Sequence, residues 1–123
     1  MEVFDITNLI KGRKKMEIIS FDDFKKIDMR TGKIISVDDH PAADKLYILQ
    51  VDLGAEKRQI VAGIKPYYSK EELVGKTIII VANLQSRAIR GVESNGMLLA
   101  GLDDTTLAVL TIDRNLKPGT KIT

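Results

Sequence analysis

The chain has no cysteine and no tryptophan, one histidine, and only three phenylalanines and three tyrosines in 123 residues. Without cysteine there is no disulfide framework, no thiolate metal site and no cysteine nucleophile. With aromatics at 5% of the chain, the rows of stacking platforms on which single-strand binders hold successive bases are missing. No segment is apolar for long enough to span a bilayer. The N-terminus does not read as a signal peptide: Asp5, Thr7 and Asn8 interrupt its apolar residues, and the basic cluster follows them. There is no Walker-type phosphate loop and no dinucleotide fingerprint. The expectation is a cytoplasmic protein that needs no cofactor and no metal.

An excess of one charge is also lacking. Nineteen Lys and Arg stand against seventeen Asp and Glu, a net charge of +2. Lys11, Arg13, Lys14 and Lys15 against Glu2 and Asp5 account for all of it, so residues 17–123 are neutral as a whole. Bulk electrostatics therefore do not mark a nucleic-acid binder. Any such function needs charges sorted by face. Gly101 to Asp113 carries Asp103, Asp104 and Asp113 with no basic residue, whereas Asn83 to Ala100 carries Arg87 and Arg90 against Glu93 alone.

The length fits one domain, able to bury roughly two-thirds of its unfolded surface. Residues 1–16 read as an appendage, with Val3 to Ile10 either a short helix ended by Gly12 or a tail. Ser20 to Lys26 reads as a helical turn. Strands are predicted over Thr31 to Asp38, Leu46 to Leu53 and Arg58 to Ala62. Ser69-Lys70-Glu71-Glu72 is a capping box that opens a short helix ending at Gly75. Lys76 to Ala82 contains the run Ile78-Ile79-Ile80-Val81-Ala82, as in a strand buried on both faces. Met97 to Leu99 and Leu107 to Ile112 are further strands. Three strands, a helix and two strands is the order of an OB-fold, a five-stranded Greek-key barrel. The fold class is therefore all-β with short helices, plus a C-terminal extension.

Asn83 to Ala100 is longer than a chain reversal needs, since hairpin loops take about 2–5 residues. It sets basic and hydrogen-bonding groups on a strand frame, as a phosphate-contacting surface requires. Asn95-Gly96 reads as a hairpin turn, because both residues tolerate positive φ, and Arg87 and Arg90 read equally as solvated side chains.

Arg90-Gly91-Val92-Glu93-Ser94-Asn95-Gly96-Met97-Leu98-Leu99-Ala100 resembles the signature of the methionyl-tRNA synthetase C-terminal type of tRNA-binding domain. That family includes stand-alone dimeric tRNA-binding proteins and the endothelial monocyte-activating polypeptide domain. Three further stretches match in order: Asp28 to Ile34 resembles the family's first strand, His40 to Tyr47 its strand 1–2 turn, and Arg58 to Ile64 its third strand. The likeness covers roughly Phe21 to Thr123.

The resemblance implies non-catalytic tRNA binding through shape and phosphate backbone, free-standing or beside an aminoacyl-tRNA synthetase, by a homodimer. Candidate contacts on the matched motifs are Lys33, Lys45, Arg58, Asn83, Arg87, Arg90, Ser94, Asn95 and Met97. Three of them have competing readings. The direction of Lys33 depends on register, Lys45 can pair with Asp44, and Met97 can be core filler. The domain is placed at 17–123, with 101–123 as the dimerisation segment. Met1 and the lack of a catalytic domain favour a free-standing chain, although a piece of a longer synthetase reads the same way.

Three rivals are weighed. An export chaperone of the same superfamily, binding unfolded polypeptide, is expected to lack Arg-Gly-x-x-Ser-x-Gly-Met. A cytokine-like module is expected to carry a longer C-terminal extension. An enzyme built on His40 with Asp38, Asp39 and Asp44 requires a convergence that their spacing does not force, and His and Asp are common turn residues.

Overall fold

A computed structural model describes residues 16–123. The appendage, including the helix considered for Val3 to Ile10, lies almost wholly outside the described residues. The first element is the short helix α1 (Phe21–Lys25), whose N-cap Ser20 accepts from the Asp23 N–H at 3.0 Å. Strands β1 (Met29–Asp39), β2 (Tyr47–Asp52) and β3 (Lys57–Ala62) follow. After them come helix α2 (Lys70–Leu73) and strand β4 (Thr77–Val81). The capping box forms as the sequence reads: Ser69 Oγ accepts from the Glu72 N–H at 3.2 Å, and Glu72 accepts from the Ser69 N–H at 2.8 Å.

The main sheet is antiparallel and ends in the two-residue strand β7 (Met97–Leu98), in the order β3-β2-β1-β4-β7. β1 is the longest strand because it serves two partners. Its first half pairs with β4, from Met29↔Val81 to Lys33↔Thr77, and its second half with β2, from Lys33↔Asp52 to Asp39↔Tyr47. The register slips between Ile34 and Ser36, a bulge that bends the strand and helps the sheet curl. The barrel interior is apolar. Ile34, Leu49, Val51, Ile60, Ile78 and Ile80 are at most 1% exposed, and Leu73 of α2 joins them in one cluster. The triple-isoleucine run is buried on both faces as expected, Ile79 included.

The sequence reading is corrected in three places. The 83–100 connection contains a further hairpin, β5 (Arg87–Ile89) paired with β6 (Val92–Ser94), outside the main sheet. Its turn is Arg90-Gly91, not Asn95-Gly96. Leu107 to Ile112 is not one strand: only β9 (Leu107–Val109) is extended, and it pairs with β8 (Ala100–Leu102) as a separate hairpin. Asp103 shapes that reversal by accepting from the Thr105 and Thr106 N–H groups at 2.9 and 2.7 Å.

The end of the chain packs on its own barrel. Thr31 and Gly119–Thr120 exchange backbone bonds of 2.8 and 2.9 Å, and the Thr31 hydroxyl donates to the Lys117 carbonyl at 2.9 Å. This tail takes the edge of β1 that β2 leaves free. Gly119 sits at φ +86°, where a Cβ would run into the Leu53 carbonyl. Only glycine lets the two backbones approach this closely.

Candidate nucleic-acid interface

The 87–94 hairpin projects from the barrel on a two-residue turn. Arg90 has φ 53° and Gly91 φ 88°, and the flanking pair is Ile89↔Val92. Positive φ at both central residues gives a turn of type I′, whose twist matches that of the strands. Nothing crowds a Cβ at Gly91, so its φ alone calls for glycine. Arg90 is the only non-glycine residue with positive φ among the described residues. That conformation costs an L-residue on the order of 1–2 kcal/mol. The Arg90 guanidinium donates to the Ala42 carbonyl at 3.0 Å, and the side chain stays exposed.

The base of the hairpin is locked to β3. Ser94 is 2% exposed. Its Oγ accepts from the Val61 N–H and donates to the Gly96 carbonyl, both at 3.0 Å. Gln59 Nε2 donates to the Glu93 carbonyl at 2.9 Å, and the Asn95 N–H donates to the Gln59 carbonyl at 2.8 Å. These bonds bring the open edge of β3 to the chain leading into β7, which nearly closes the barrel. Ser94→Ala strands the buried Val61 N–H. It is expected to cost about 1–3 kcal/mol of stability, seen as a lower denaturant midpoint at unchanged slope. A midpoint within error of wild type is the contrary result.

The nine candidate residues fall into three groups. Lys45, Arg87 and Arg90 are exposed near the hairpin and the 40–46 loop. A cleft of about 380 Å³ is lined by Ala42 to Leu46 and Arg90, so Lys45 and Arg90 share it. Lys33 is exposed but stands in the cross-strand row Lys33–Asp52–Lys57. About 20 Å of extended strand separates it from His40.

Ser94, Asn83 and Arg58, with Asn95 and Met97 beside them, form the third group, and the polar side-chain atoms of the first three are bonded within the fold. Ser94 is buried, as above. Asn83 Oδ1 accepts from the Asp28 N–H at 2.9 Å, and its Nδ2 donates to the Lys26 carbonyl at 2.6 Å. It pins the exit of α1 to the exit of β4. Arg58 pairs with Glu56 at 2.8 Å and donates to the Ala82 and Asn95 carbonyls at 2.8 and 3.3 Å. Asn95 and Met97 are half-buried beside this clasp.

Charge pairing separates the same groups. Arg58 holds the Glu56 carboxyl below its ordinary range, chiefly by hydrogen bonding. Arg30 does the same for Asp28, with help from Lys121. Lys65 and Lys70 do so for Asp39. Among the described residues, Lys33, Lys45, Arg87 and Arg90 make no ion pair with a carboxylate. Cations without a carboxylate partner among the described residues therefore stand around the hairpin and the 40–46 loop, as they do at Lys57, Lys76, Arg114 and Lys117.

One residue at this surface was not singled out from sequence, and another was weighed there only for other roles. Gln59 ties β6 to β3; its signal was only a polar residue at an outward position of a strand. His40 was read as a turn residue. It does shape the turn, but it is 5% exposed and also reaches the Ile89 carbonyl at 3.0 Å. The Asp39 carboxylate is engaged by Lys65 and Lys70, and both His40 nitrogens have backbone partners. The carboxylate–histidine convergence that a catalytic reading needs is therefore not formed. No three His, Asp or Glu residues gather as a metal site among the described residues, and no described helix is long and apolar enough to cross a membrane.

A family model described as a putative tRNA binding domain matches residues 29–121. A methionine–tRNA ligase of Thermococcus kodakarensis is 55% identical over 112 residues. That alignment takes in 91% of this chain and 15% of the ligase, so the chain spans less than a fifth of that relative. The crystal structure of a MetRS related protein from Pyrococcus horikoshii superposes with a TM-score of 0.82 at 34% identity, over 88% of this chain and all of that one. A CsaA chaperone protein from Picrophilus torridus superposes at 0.80 with 34% identity, over 86% of this chain and all of that one.

Proposed function

Because the chain belongs to the putative tRNA binding domain family, we propose that it binds tRNA without catalysing a reaction, acting as a tRNA handle alone or alongside an aminoacyl-tRNA synthetase. The observation that carries this reading is Arg90. A type I′ turn favours Asn, Asp or Gly at its first central position. An arginine held there at φ 53° gives up local stability to place a cation at an exposed tip. Strained backbone of this kind concentrates at functional sites. Arg87, Arg90 and Lys45 are the proposed primary contacts, with Lys33 and Asn95 at the periphery. Ser94, Asn83, Arg58 and Met97 hold the frame. The scarcity of aromatics favours reading folded RNA by shape and backbone over base-by-base stacking.

Likeness to a CsaA chaperone protein keeps unfolded polypeptide as the alternative ligand. It has a specific feature in its favour, an apolar groove of about 350 Å³ lined by Phe21, Phe24, Ile27, Met29 and Ile122. We assign that groove, with exposed Leu110 and Leu116, to a two-fold contact between copies of the chain. The C-terminal segment was expected to supply the interface chiefly through Leu107 to Leu116. Leu107 and Val109 pack on the chain's own core, which leaves Leu110, Leu116 and the groove for the partner. The domain is taken as 17–123.

Titrations of several tRNAs at three salt concentrations, with unfolded polypeptide and duplex DNA as competitors, test the tRNA reading. With about 3–5 phosphates neutralised, the log–log salt slope is expected near −3, alike for tRNAs of different anticodon. Binding that follows the anticodon and ignores salt, or that unfolded polypeptide displaces as readily as tRNA does, defeats it.

A further inference from the structure

The hairpin and the 40–46 loop are separate excursions of the chain, joined by one buried side chain. Nδ1 of His40 lies 3.0 Å from the Ala42 backbone N–H, and Nε2 lies 3.0 Å from the Ile89 carbonyl. The Ala42 N–H has only a proton to offer, so Nδ1 accepts. The Ile89 carbonyl has only lone pairs, so Nε2 carries the hydrogen and donates. One neutral tautomer satisfies both bonds at once. The first bond folds the loop back on itself as an Asx turn does. The second crosses forty-nine residues of sequence and grips the hairpin one residue before Arg90. On the outside of the same junction, Arg90 reaches back to the Ala42 carbonyl. Loop and tip are thus held from within by His40 and from outside by Arg90, around the cleft that Lys45 also lines.

We propose that His40 is a positioning residue for RNA binding: its Nε2–H to Ile89 carbonyl bond holds the Arg90 tip and the Lys45 loop at a fixed separation, so that their cations meet neighbouring phosphates together. The inference rests on the tRNA-binding reading above. His40 is buried and touches no RNA itself. Its effect arises because a site of two charges on two loops loses affinity when either is free to wander.

The two bonds can be separated chemically. Asparagine places its oxygen near the Nδ1 position and keeps the turn, but is too short for Ile89. Glutamine places its amide near Nε2 and keeps the bond to the hairpin. His40→Asn is expected to weaken tRNA binding about fivefold, the loss of one hydrogen bond's worth, with backbone amide shifts across residues 87–94. His40→Gln is expected to restore most of that affinity and the wild-type hairpin shifts.

A role confined to shaping the turn reverses the order, with His40→Asn binding like wild type and His40→Gln impaired. That result overturns the proposal. The wild-type imidazole nitrogen spectrum adds a test needing no substitution. It must show Nε2 protonated and Nδ1 bare, and the opposite tautomer overturns the proposal even if the variants fold poorly. Should wild-type protein bind no tRNA, the functional reading falls. The nitrogen spectrum and hairpin shifts of the free protein still judge the tie.

Discussion

A variant held monomeric is expected to bind tRNA about a hundredfold more weakly than the assembled protein, with its fold unchanged. The expectation follows from how few unpaired cations the described residues of one copy offer near the hairpin. Residues 17–123 are neutral overall, and Arg30, Arg58, Lys65 and Lys70 are each engaged by an Asp or Glu. What remains near the hairpin is Lys45, Arg87 and Arg90, too few for tight binding in physiological salt. A two-fold dimer presents that set twice at fixed spacing. Once one copy is bound, the second meets the same RNA at a high effective concentration, without any new contact. Leu110→Gln with Leu116→Gln is the first variant to make. Both side chains are exposed, and glutamine leaves net charge untouched, so a loss of affinity cannot be a salt effect. Phe21→Gln with Phe24→Gln tests the groove in the same way. Light scattering of the free protein and its tRNA complex gives the stoichiometry, expected at one tRNA per two chains. A monomer that binds tRNA as tightly as wild type removes the avidity argument.

How much of this was legible beforehand differs by element, for physical reasons. The barrel strands were readable because their residues face a core: Leu49, Val51, Ile78 and Ile80 announce themselves by hydrophobicity and period. The capping box at Ser69 was readable because it is a local hydrogen-bond pattern. The β5–β6 hairpin was not, since its turn carries arginine where turn chemistry favours asparagine, while a decoy Asn95-Gly96 lies a few residues on. Asn95 does not take positive φ: its N–H is drawn to the Gln59 carbonyl, and of the pair Gly96 alone takes positive φ, at 118°, where the chain passes close to the Val81 carbonyl. Tertiary bonding overrides the local preference there.

The site residues divide along the same line. Motif resemblance picks out positions that matter but does not separate contact from support. Ser94 and Arg58 sit in matched motifs and Asn83 lies between two of them, yet the polar side-chain atoms of all three are spent on bonds within the fold. His40 shows the converse: its partner, the Ile89 carbonyl, is a long-range backbone atom that no sequence pattern marks.

Arg90→Asn is expected to move stability and binding in opposite directions. In the type I′ turn the first central residue must adopt positive φ, which asparagine tolerates better than arginine. The hairpin should therefore gain about 0.5–1 kcal/mol, less what the exposed bond to the Ala42 carbonyl contributes, and the thermal midpoint should rise slightly. Losing the guanidinium removes a charge-assisted contact to phosphate, for which a loss of about 1–3 kcal/mol in binding is expected. The log–log salt slope should become shallower by about 1. Arg90→Ala separates the two effects. It loses the same charge but keeps an unfavourable φ, so its affinity should fall as far while its midpoint does not rise. Arg90→Lys keeps a cation on the strained backbone and should retain most of the salt slope. A loss of affinity caused by a damaged fold would bring a lower midpoint, and Arg90→Asn is chosen because its midpoint should go the other way. If folded Arg90→Asn and Arg90→Ala proteins both bind tRNA with wild-type affinity and slope, the strained arginine is an ordinary solvated side chain, and the interface must be sought away from this hairpin.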